Sequence, residues 1–166
     1  MDDYICVGLG NHNFSSALTM AIRLKIPTIS TGNKVLISNY EDGGFQLLLT
    51  NGKLRIMAKN RVSSKVTDLD FTAENFVVQA NTWYTIAVVV NSSGIHIFVD
   101  GVKVENITTD MNLANCMHPV FIGANPNQGS YSAMANIIVS DYAFINQAVE
   151  TNVISQFFSG EISPSL

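Results

Sequence analysis

The sequence predicts an all-β fold in which two antiparallel sheets pack face to face, with a short helix at the C-terminal end. Short apolar segments alternate with clusters of Gly, Asn, Asp and Ser at roughly the 8–12-residue spacing of a β-sandwich. Asn51-Gly52 and Asp100-Gly101 each join two apolar segments, and both residues of such a pair can take positive φ at low cost. These pairs predict tight hairpins, and the number of segments requires two packed sheets.

Eleven segments are expected to form strands, because each is apolar or alternating and ends at turn residues. The four prolines, which cannot donate a ladder hydrogen bond, all lie outside the apolar runs. In chain order the expected strands are residues 4–7, 17–26, 34–39, 45–50, 53–59, 68–71, 83–90, 94–99, 102–107, 120–124 and 133–140.

Residues 83–104, which read WYTIAVVVNSSGIHIFVDGVKV, carry the strongest local signal. The Asn-Ser-Ser-Gly cluster at 91–94 ends the first apolar run with side chains that hydrogen-bond to nearby backbone groups, so the chain reverses there. Asp100-Gly101 then reverses the chain again. Two consecutive hairpins are therefore expected in this block.

A helix is expected only at the C-terminal end, where apolar residues recur at four-residue spacing and a glycine follows. We expect a short amphipathic helix that caps one open end of the sandwich. No internal repeat, low-complexity segment or linker interrupts the pattern, so a single domain is expected to occupy residues 1–166. The helical stripe consists of Val149, Val153, Ile154, Phe157 and Phe158, and Gly160 follows it.

The surface of this chain is expected to be largely uncharged. Of its 166 residues, 47% are hydrophobic and only 13% are charged, against roughly 25% in an ordinary soluble domain, and the mean hydropathy is +0.22. The longest aliphatic run, residues 86–90, is far shorter than the roughly 20 residues that cross a bilayer, so membrane insertion is not expected. Apolar or amide-rich surface that contacts other protein subunits explains the composition, and a homo-oligomer is one form of such contact.

Charge and the N-terminal sequence argue against two further classes. The net charge is −4 and the nine Lys and Arg residues are scattered, whereas nucleic-acid binding needs a basic stripe. The N-terminal MDDYICVGLG carries two acids where an export signal carries Lys or Arg. We expect no nucleic-acid partner and a location in a virion or in the cytoplasm of the producing cell. Cys6 and Cys116 are expected to be free buried thiols; the alternative is that they pair if the first strand lies beside a late one.

Three segments carry a resemblance to a known superfamily. FQLLLTNGKLRI is followed by NTWYTIAVVVNSSGIHIFVDGVKV and then by PVFIGANPNQGSYSAMANIIVSDYAF, with the short helix last. This order resembles the concanavalin A-like lectin and glucanase superfamily, and within it the laminin G-like modules, over about residues 15–160. The resemblance implies a jelly-roll sandwich whose ligands lie on the concave face or on rim loops. Members include glycan-binding modules, adhesion domains, pentraxin-like calcium binders, glucanases and accessory parts of viral particles.

The hydrolytic members of the superfamily carry Glu-x-Asp-x-x-Glu on one strand, because retaining hydrolysis needs two carboxyl groups about 5 Å apart on one face. This chain lacks that motif. Its nearest approach is Asp68, Asp70 and Glu74, with Glu74 one residue too late, and we interpret these acids as solvated side chains beside an edge strand. The three histidines are widely separated and lie in no metal-binding motif. We therefore expect neither an enzyme nor catalytic residues.

Calcium is the cofactor that the resemblance brings into question, because laminin G-like and pentraxin-like relatives often hold it with rim-loop oxygens. Asn39, Glu41 and Asp42 form one oxygen-rich loop, and Asp141 is a further carboxylate that would approach from elsewhere. Residues 39–44 are equally typical of a turn. We expect no resident cofactor and keep calcium as the alternative.

Two loops offer the mixture that a sugar ligand requires, a flat aromatic ring with amides and carboxylates around it. They are residues 39–42 and 125–131. The alternative is that the asparagines favour turns and the tyrosines pack at the rim. The ligand-binding candidates are Asn39, Tyr40, Asp42, Asn125, Asn127, Gln128 and Tyr131.

These observations predict a non-catalytic recognition or assembly module. The favoured hypothesis is a structural or decoration subunit of a larger particle, of a phage or virus, that also contacts glycans, because low surface charge is typical of buried intersubunit area. The alternative is a stand-alone carbohydrate-binding module similar to a lectin. A glycoside hydrolase is the third hypothesis and has the least support.

Overall fold

A computed structural model describes residues 4–8, 17–41, 43–62, 64–127 and 130–159. These residues form thirteen strands and one helix. In chain order the elements are β1 (Ile5–Val7), β2 (Leu18–Lys25), β3 (Asn33–Ser38), β4 (Phe45–Thr50), β5 (Lys53–Val62), β6 (Lys65–Val77), β7 (Trp83–Asn91), β8 (Gly94–Val99), β9 (Val102–Thr108), β10 (Val120–Ile122), β11 (Asn125–Asn127), β12 (Ser130–Ser132), β13 (Ile138–Ile145) and α1 (Thr151–Ser159).

The strands form two antiparallel sheets that share one core. The larger sheet has the strand order β1-β10-β3-β4-β5-β6, and the smaller sheet has the order β13-β2-β7-β8-β9. A separate hairpin, β11-β12, follows β10 in the chain. This arrangement confirms the predicted all-β sandwich, and it leaves β1 and β6 as the edges of the larger sheet and β13 and β9 as the edges of the smaller one.

The hairpin turns have the backbone that their residue pairs predict. Asn51 and Gly52 have φ values of 51° and 85°, and Asp100 and Gly101 have φ values of 49° and 80°. The first pair closes the β4-β5 hairpin and the second closes the β8-β9 hairpin. Both predicted two-residue turns are confirmed.

Successive side chains of a strand point to opposite faces, so the alternation of apolar residues along the strands directs one face of each sheet into the shared core. The residues between these inward positions point to the opposite face, so the outer faces, the edges and the loops are the surfaces at which a ligand can bind. The inward residues of the central strands β4 and β7, all buried, are Phe45, Leu47, Leu49, Ile86, Val88 and Val90.

The prediction that the C-terminal helix caps an open end of the sandwich is wrong. α1 lies on the outer face of the smaller sheet, where Ile154 packs with Ala21, Ala87 and Val89 in a second apolar cluster. The two alanines point outward from neighbouring central strands, and their small side chains allow a helix to approach the sheet closely. The apolar stripe of the helix therefore covers a sheet face.

The segment that precedes α1 is tied to the same face by Thr19 of β2. The Thr19 hydroxyl donates to the carbonyl oxygen of Gln147 at 2.7 Å and accepts the N–H of Val149 at 3.0 Å. Both bonds form around a threonine that is buried, so they hold the approach to the helix in one position. Among the described residues, no helix combines the length and apolar character needed to cross a membrane.

The last strand begins and ends five residues later than expected, at Ile138–Ile145 in place of 133–140. The Ser-Asp pair at 140–141 resembles the end of a strand in sequence. In the structure a β-bulge between Val139 and Asp141 leaves Ser140 as an extra residue in β13. Pairing with β2 continues beyond this bulge.

Two further elements differ from the sequence prediction. β6 runs over Lys65–Val77 instead of 68–71, because most of its length pairs with β5. The β11-β12 hairpin lies where a loop was expected, since its Asn, Pro and Ser residues are typical of turns. Polar strands of this kind lack the hydrophobic alternation by which strands are recognised in a sequence.

Cys6 and Cys116 do not form a disulfide with each other, as expected. Cys116 is buried, and its thiol donates to the carbonyl oxygen of Asn39 at 2.7 Å. Cys6 is exposed on the edge strand β1, so the expectation that both thiols are buried is wrong for Cys6.

Candidate functional site

The two loops in which the sequence predicts ligand contacts meet beside the larger sheet. Ser38, the last residue of β3, donates its hydroxyl to Oδ1 of Asn125 at 2.7 Å, at the start of β11. Nδ2 of Asn125 donates to Oε1 of Glu41 at 3.4 Å, and the Ser38 hydroxyl oxygen accepts the N–H of Tyr40 at 3.1 Å. One serine therefore connects two loops that are far apart in the sequence.

Asn39 shapes the first of these loops from the inside. Its side chain is fully buried, and its Oδ1 accepts the N–H of Phe45 at 3.0 Å. Its Nδ2 is buried and hydrogen-bonds to none of the described residues. Gly44, with φ of 74°, packs so closely that an added Cβ would lie 2.2 Å from Asn39 Oδ1. The sequence placed Asn39 among the ligand contacts, whereas the structure places its side chain where it fixes the loop.

Tyr40 extends from this loop across the outer face of the larger sheet. Its hydroxyl donates to Oδ1 of Asp68 on the edge strand β6 at 2.8 Å, and Nζ of Lys59 lies 4.6 Å from the centre of its ring. Burial, and then the hydrogen bond to Asp68, raise the pKa of the Tyr40 hydroxyl above its usual value. The side chain is therefore a neutral phenol at ordinary pH, and its position is set by two charged neighbours.

Three ion pairs connect β5 and β6 beside this tyrosine, and we call them the ladder. The basic members alternate with buried residues of β5, so they project from the outer face of the sheet. The acids that the sequence indicated as solvated side chains do lie on an edge strand, but each of them has a basic partner. The pairs are Lys59 with Asp68, Arg55 with Asp70, and Lys53 with Glu74.

Asp68 and Asp70 keep their negative charge to unusually low pH. The hydrogen bond from Lys59, followed by that from Tyr40, lowers the pKa of Asp68, and the hydrogen bond from Arg55 lowers the pKa of Asp70. A general acid must hold a proton near the working pH, which these two carboxylates do not. Their chemistry therefore suits binding better than acid catalysis.

Together these side chains form one surface, which we call the polar patch. Gln46 of β4 completes it, because its Nε2 donates to the Ser38 hydroxyl at 3.2 Å. The buried Ser38 and Gln46 support the more exposed members, which supply hydrogen-bond donors and acceptors beside an aromatic ring. The patch consists of Ser38, Tyr40, Glu41, Gln46, Lys59, Asp68 and Asn125.

The other four predicted ligand-binding residues lie wholly or partly outside the part of the chain that the structure describes. Asp42 and Gln128 lie outside the described residues, and for Asn127 and Tyr131 of the β11-β12 hairpin only the backbone is described. The strand residues of the patch were not predicted, because the usual signal of a sugar site is an aromatic ring with amides in a loop. The available signal was the alternation of charged with apolar residues along β5 and β6, which predicts a polar outer face.

Two of the carboxylates considered for calcium, Glu41 and Asp141, lie apart, and the third, Asp42, is outside the described residues. Asp141 lies on β13 of the smaller sheet, opposite Arg23, whereas Glu41 contacts Asn125 beside the larger sheet. Within the described segments, no three His, Cys, Asp or Glu side chains form a group that could hold a metal ion. The absence of a resident cofactor stays a prediction.

Comparison with known families and curated sequences gives one match. Residues 1–155 match the family model described as the concanavalin A-like lectin/glucanases superfamily. A search of curated proteins by sequence finds no match.

Comparison with solved structures finds the same fold in much larger chains. The NanB sialidase of Streptococcus pneumoniae, in complex with 2-[(3-chlorobenzyl)ammonio]ethanesulfonate, has a TM-score of 0.71 at 14% identity, over 94% of this chain and 26% of that one. The binding domain of botulinum neurotoxin DC in complex with SialylT has a TM-score of 0.66 at 13% identity, over 95% and 38%. The binding domain of Paraclostridial Mosquitocidal Protein 1 has a TM-score of 0.65 at 18% identity, over 91% and 38%. At these identities the similarity shows the fold alone, and this chain spans less than half of each of the three.

Proposed function

Because this chain belongs to the concanavalin A-like lectin/glucanases superfamily, we propose that it is a non-catalytic recognition module whose polar patch binds glycans. The observation that carries this proposal is the junction of two loops at Ser38. It places the Tyr40 ring and the Asn125 amide in one hydrogen-bonded network with Asp68 and Lys59.

The chemistry of the patch matches that of a sugar. A pyranose presents an apolar C–H face to an aromatic ring, and its hydroxyl groups both donate and accept hydrogen bonds. Tyr40 supplies the ring, Lys59 supplies a donor, and the carboxylates of Glu41 and Asp68 supply acceptors. Because neighbouring groups already hold these side chains in place, little conformational entropy is lost when a ligand binds.

The similar structures support the choice of a glycan as ligand. Several are binding domains by their descriptions, and one of these, from botulinum neurotoxin DC, is in complex with SialylT. SialylT is a ligand of that toxin domain. For this chain it is a reasonable first member of a test panel.

The proposal is for binding without catalysis because of the state of the acidic side chains. Retaining hydrolysis needs one carboxyl group that donates a proton and another that attacks as a nucleophile. Asp68 and Asp70 each pair with a basic side chain that lowers the pKa of the carboxyl group and so favours the carboxylate. This favours the expectation that the chain is not an enzyme.

A glycan array probed with the full chain tests the proposal. We expect binding to at least one glycan, and a loss of about tenfold or more in affinity for that glycan in Tyr40→Ala, because the stacking surface is removed. Tyr142→Ala is the matched control, since Tyr142 is an exposed tyrosine on β13, away from the patch. Asp68→Asn provides a second variant that keeps the ring. Absence of binding to every glycan, or equal affinity in Tyr40→Ala and wild type, would refute the proposal.

A second candidate function is favoured by the apolar edge of the sandwich, where β1 of the larger sheet lies near β13 of the smaller one. Tyr4 and Ile5 on one side and Val139 on the other line a groove of about 210 Å³, and Tyr4 and Ile5 are 39% and 43% exposed; Ile138 and Tyr142, elsewhere on β13, are 45% and 42% exposed. Exposed apolar side chains in a cluster are typical of contact with another protein. On this hypothesis the chain is a subunit of a larger assembly, and its origin in a phage or virus stays a prediction. Mass photometry tests it: a stable oligomer supports the assembly role, and a strict monomer contradicts self-assembly.

A further inference from the structure

The outer face of the smaller sheet contains a cleft of about 520 Å³. The two sheets share one core, so this cleft and the polar patch lie on opposite faces of the sandwich. Its volume is within the roughly 300–1,000 Å³ typical of small-molecule sites. None of its lining residues belongs to the polar patch.

The cleft exists because α1 covers only part of the sheet. The helix packs over β2 and β7, and it leaves outward residues of β8 and β9, among them His96 and Lys103, only partly covered or exposed. The segment before the helix forms one wall, which Thr19 holds in place through its bonds to Gln147 and Val149. Val89 and Phe98 form an apolar floor, and Nζ of Lys103 lies 5.5 Å from the centre of the Phe98 ring.

His96 is oriented by the strand next to it. Its Nδ1 lies 2.7 Å from Oδ1 of Asn106, and Nδ2 of Asn106 donates to the hydroxyl of Thr108 at 3.4 Å. The amide oxygen can only accept, so His96 Nδ1 is the donor. Nε2 of the neutral ring is then left as an acceptor, and the ring lines the cleft.

Two asparagines at the rim are anchored through their oxygens. Oδ1 of Asn91 accepts the N–H of Ser93 at 2.9 Å, and Oδ1 of Asn152 accepts the N–H of Val153 at 2.9 Å. Neither amide nitrogen donates a hydrogen bond to another described residue. Each can therefore donate to a ligand without breaking a bond of the fold.

The charges at the rim distinguish between classes of ligand. Lys103 and Glu150 both line the cleft, and neither forms an ion pair within the described residues. A simple anion such as phosphate would meet the repulsion of Glu150. A neutral polyol with an apolar face would use donors and acceptors of both kinds and would cover the Phe98 floor.

We propose that this cleft is a second saccharide-binding site, of a size that takes one or two sugar units. The proposal extends the recognition role without depending on it, because it requires no ligand at the polar patch. If both sites bind, one chain can join two glycans on opposite sides, and neighbouring glycans on a surface would be held with gains in avidity.

Nuclear magnetic resonance of the isotopically labelled full chain tests this proposal, with lactose, maltose and sialyllactose as probes. We expect at least one sugar to shift the backbone amide signals of His96, Phe98 and Lys103 at millimolar concentration. Ala148→Trp fills the cleft from an exposed position, so it should abolish these shifts. Ala80→Trp is the matched control, since Ala80 is exposed in the turn before β7 and does not line the cleft.

A second variant tests the polar rim. His96→Phe keeps a ring of similar shape but removes the acceptor, and it should raise the dissociation constant of the cleft by about tenfold. Shifts at the cleft that persist in Tyr40→Ala would support this site even if the polar patch bound nothing. The proposal is overturned if none of the three sugars shifts the cleft signals, or if Ala148→Trp responds as the wild type does.

Discussion

The outer face of the larger sheet is covered by hydrogen-bonded and ion-paired side chains, whereas the outer face of the smaller sheet is covered by α1. On the first face Tyr40 crosses the strands to reach Asp68, and the ladder follows the edge. On the second face Ile154 packs into a small apolar cluster with Ala21 and Ala87. The two faces therefore gain their stability from different interactions, because polar contacts exposed to water contribute little and buried apolar contacts contribute more.

The largest effect is expected where apolar packing holds the helix. Ile154→Ala should lower the free energy of unfolding by about 2–4 kcal/mol, because it removes the buried side chain that anchors α1 to the sheet. Chemical denaturation measures the change. Gln156→Ala, at an exposed position of the same helix, is the control and should change the stability by less than about 0.5 kcal/mol. Equal stability of Ile154→Ala and wild type would mean that the helix is not held by this cluster.

A smaller effect is expected in the loop that carries Tyr40. Gly44→Ala should destabilise the fold by about 2–3 kcal/mol, because the residue has positive φ and its Cβ would meet Asn39 Oδ1. Gly32→Ala is the control, since Gly32 has nearly the same φ but nothing within 4 Å of the added atom, so about 1 kcal/mol is expected. Thermal denaturation of the two variants gives the comparison. Equal losses would show that the close approach to Asn39 costs nothing.

The ladder should contribute a still smaller amount that depends on pH. The pKa values of Asp68 and Asp70 are lowered in the folded state, so their stabilisation is present above the unfolded value of about 3.9 and is lost as the pH falls through the folded values. Stability should therefore decrease on acidification below about pH 5, by at most about 1 kcal/mol for each exposed pair. Denaturation at a series of pH values measures this decrease.

Arg55→Met should make the decrease in stability on acidification shallower, because the pKa of Asp70 is then closer to its usual value. Lys25→Met is the matched control, since Lys25 lies over the Trp83 ring on the smaller sheet and has no carboxylate partner among the described residues. If both variants show the acid dependence of the wild type, the Arg55–Asp70 pair does not contribute as its geometry indicates.

The smallest effect is expected from one hydroxyl group. Tyr40→Phe removes the bond to Asp68 and should cost about 0.5–1 kcal/mol. The pKa of Asp68 should rise slightly towards its usual value, because Tyr40 is the second contributor to lowering it after Lys59. Carbon-detected nuclear magnetic resonance of the Asp68 carboxyl group reports the shift. An unchanged titration would show that the tyrosine hydroxyl does not reach the carboxylate in solution.

Local chemistry made much of the sandwich predictable from the sequence. Asn51-Gly52 and Asp100-Gly101 determine their own turns, and the alternation in β4 and β7 determines which residues enter the core. The position of α1 was not predictable in this way. An apolar stripe shows that a helix needs a partner surface, but the pairing of Ala21 with Ala87 on neighbouring strands, which creates that surface, appears only after folding.

The candidate site was predictable only in part. Tyr40 and Asn125 stood out because aromatic and amide residues in loops are typical of sugar sites. That they meet through Ser38 depends on the return of the chain after β10, which no local pattern reports. The same holds for Asp68, because its strand β6 and the strand β3 that precedes Tyr40 are separated in the larger sheet by β4 and β5.

The ladder also has a consequence for the behaviour of this chain in concentrated solution. β6 is a long border strand, and unprotected strands of this length recruit other chains into extended stacks. The acidic side chains of the ladder along β6 make such stacking unfavourable. Aggregation is therefore expected to begin on the opposite side of the sandwich, where Ile5 and Ile138 are exposed. Replacing Ile138 by lysine is thus the first change to try when a preparation precipitates.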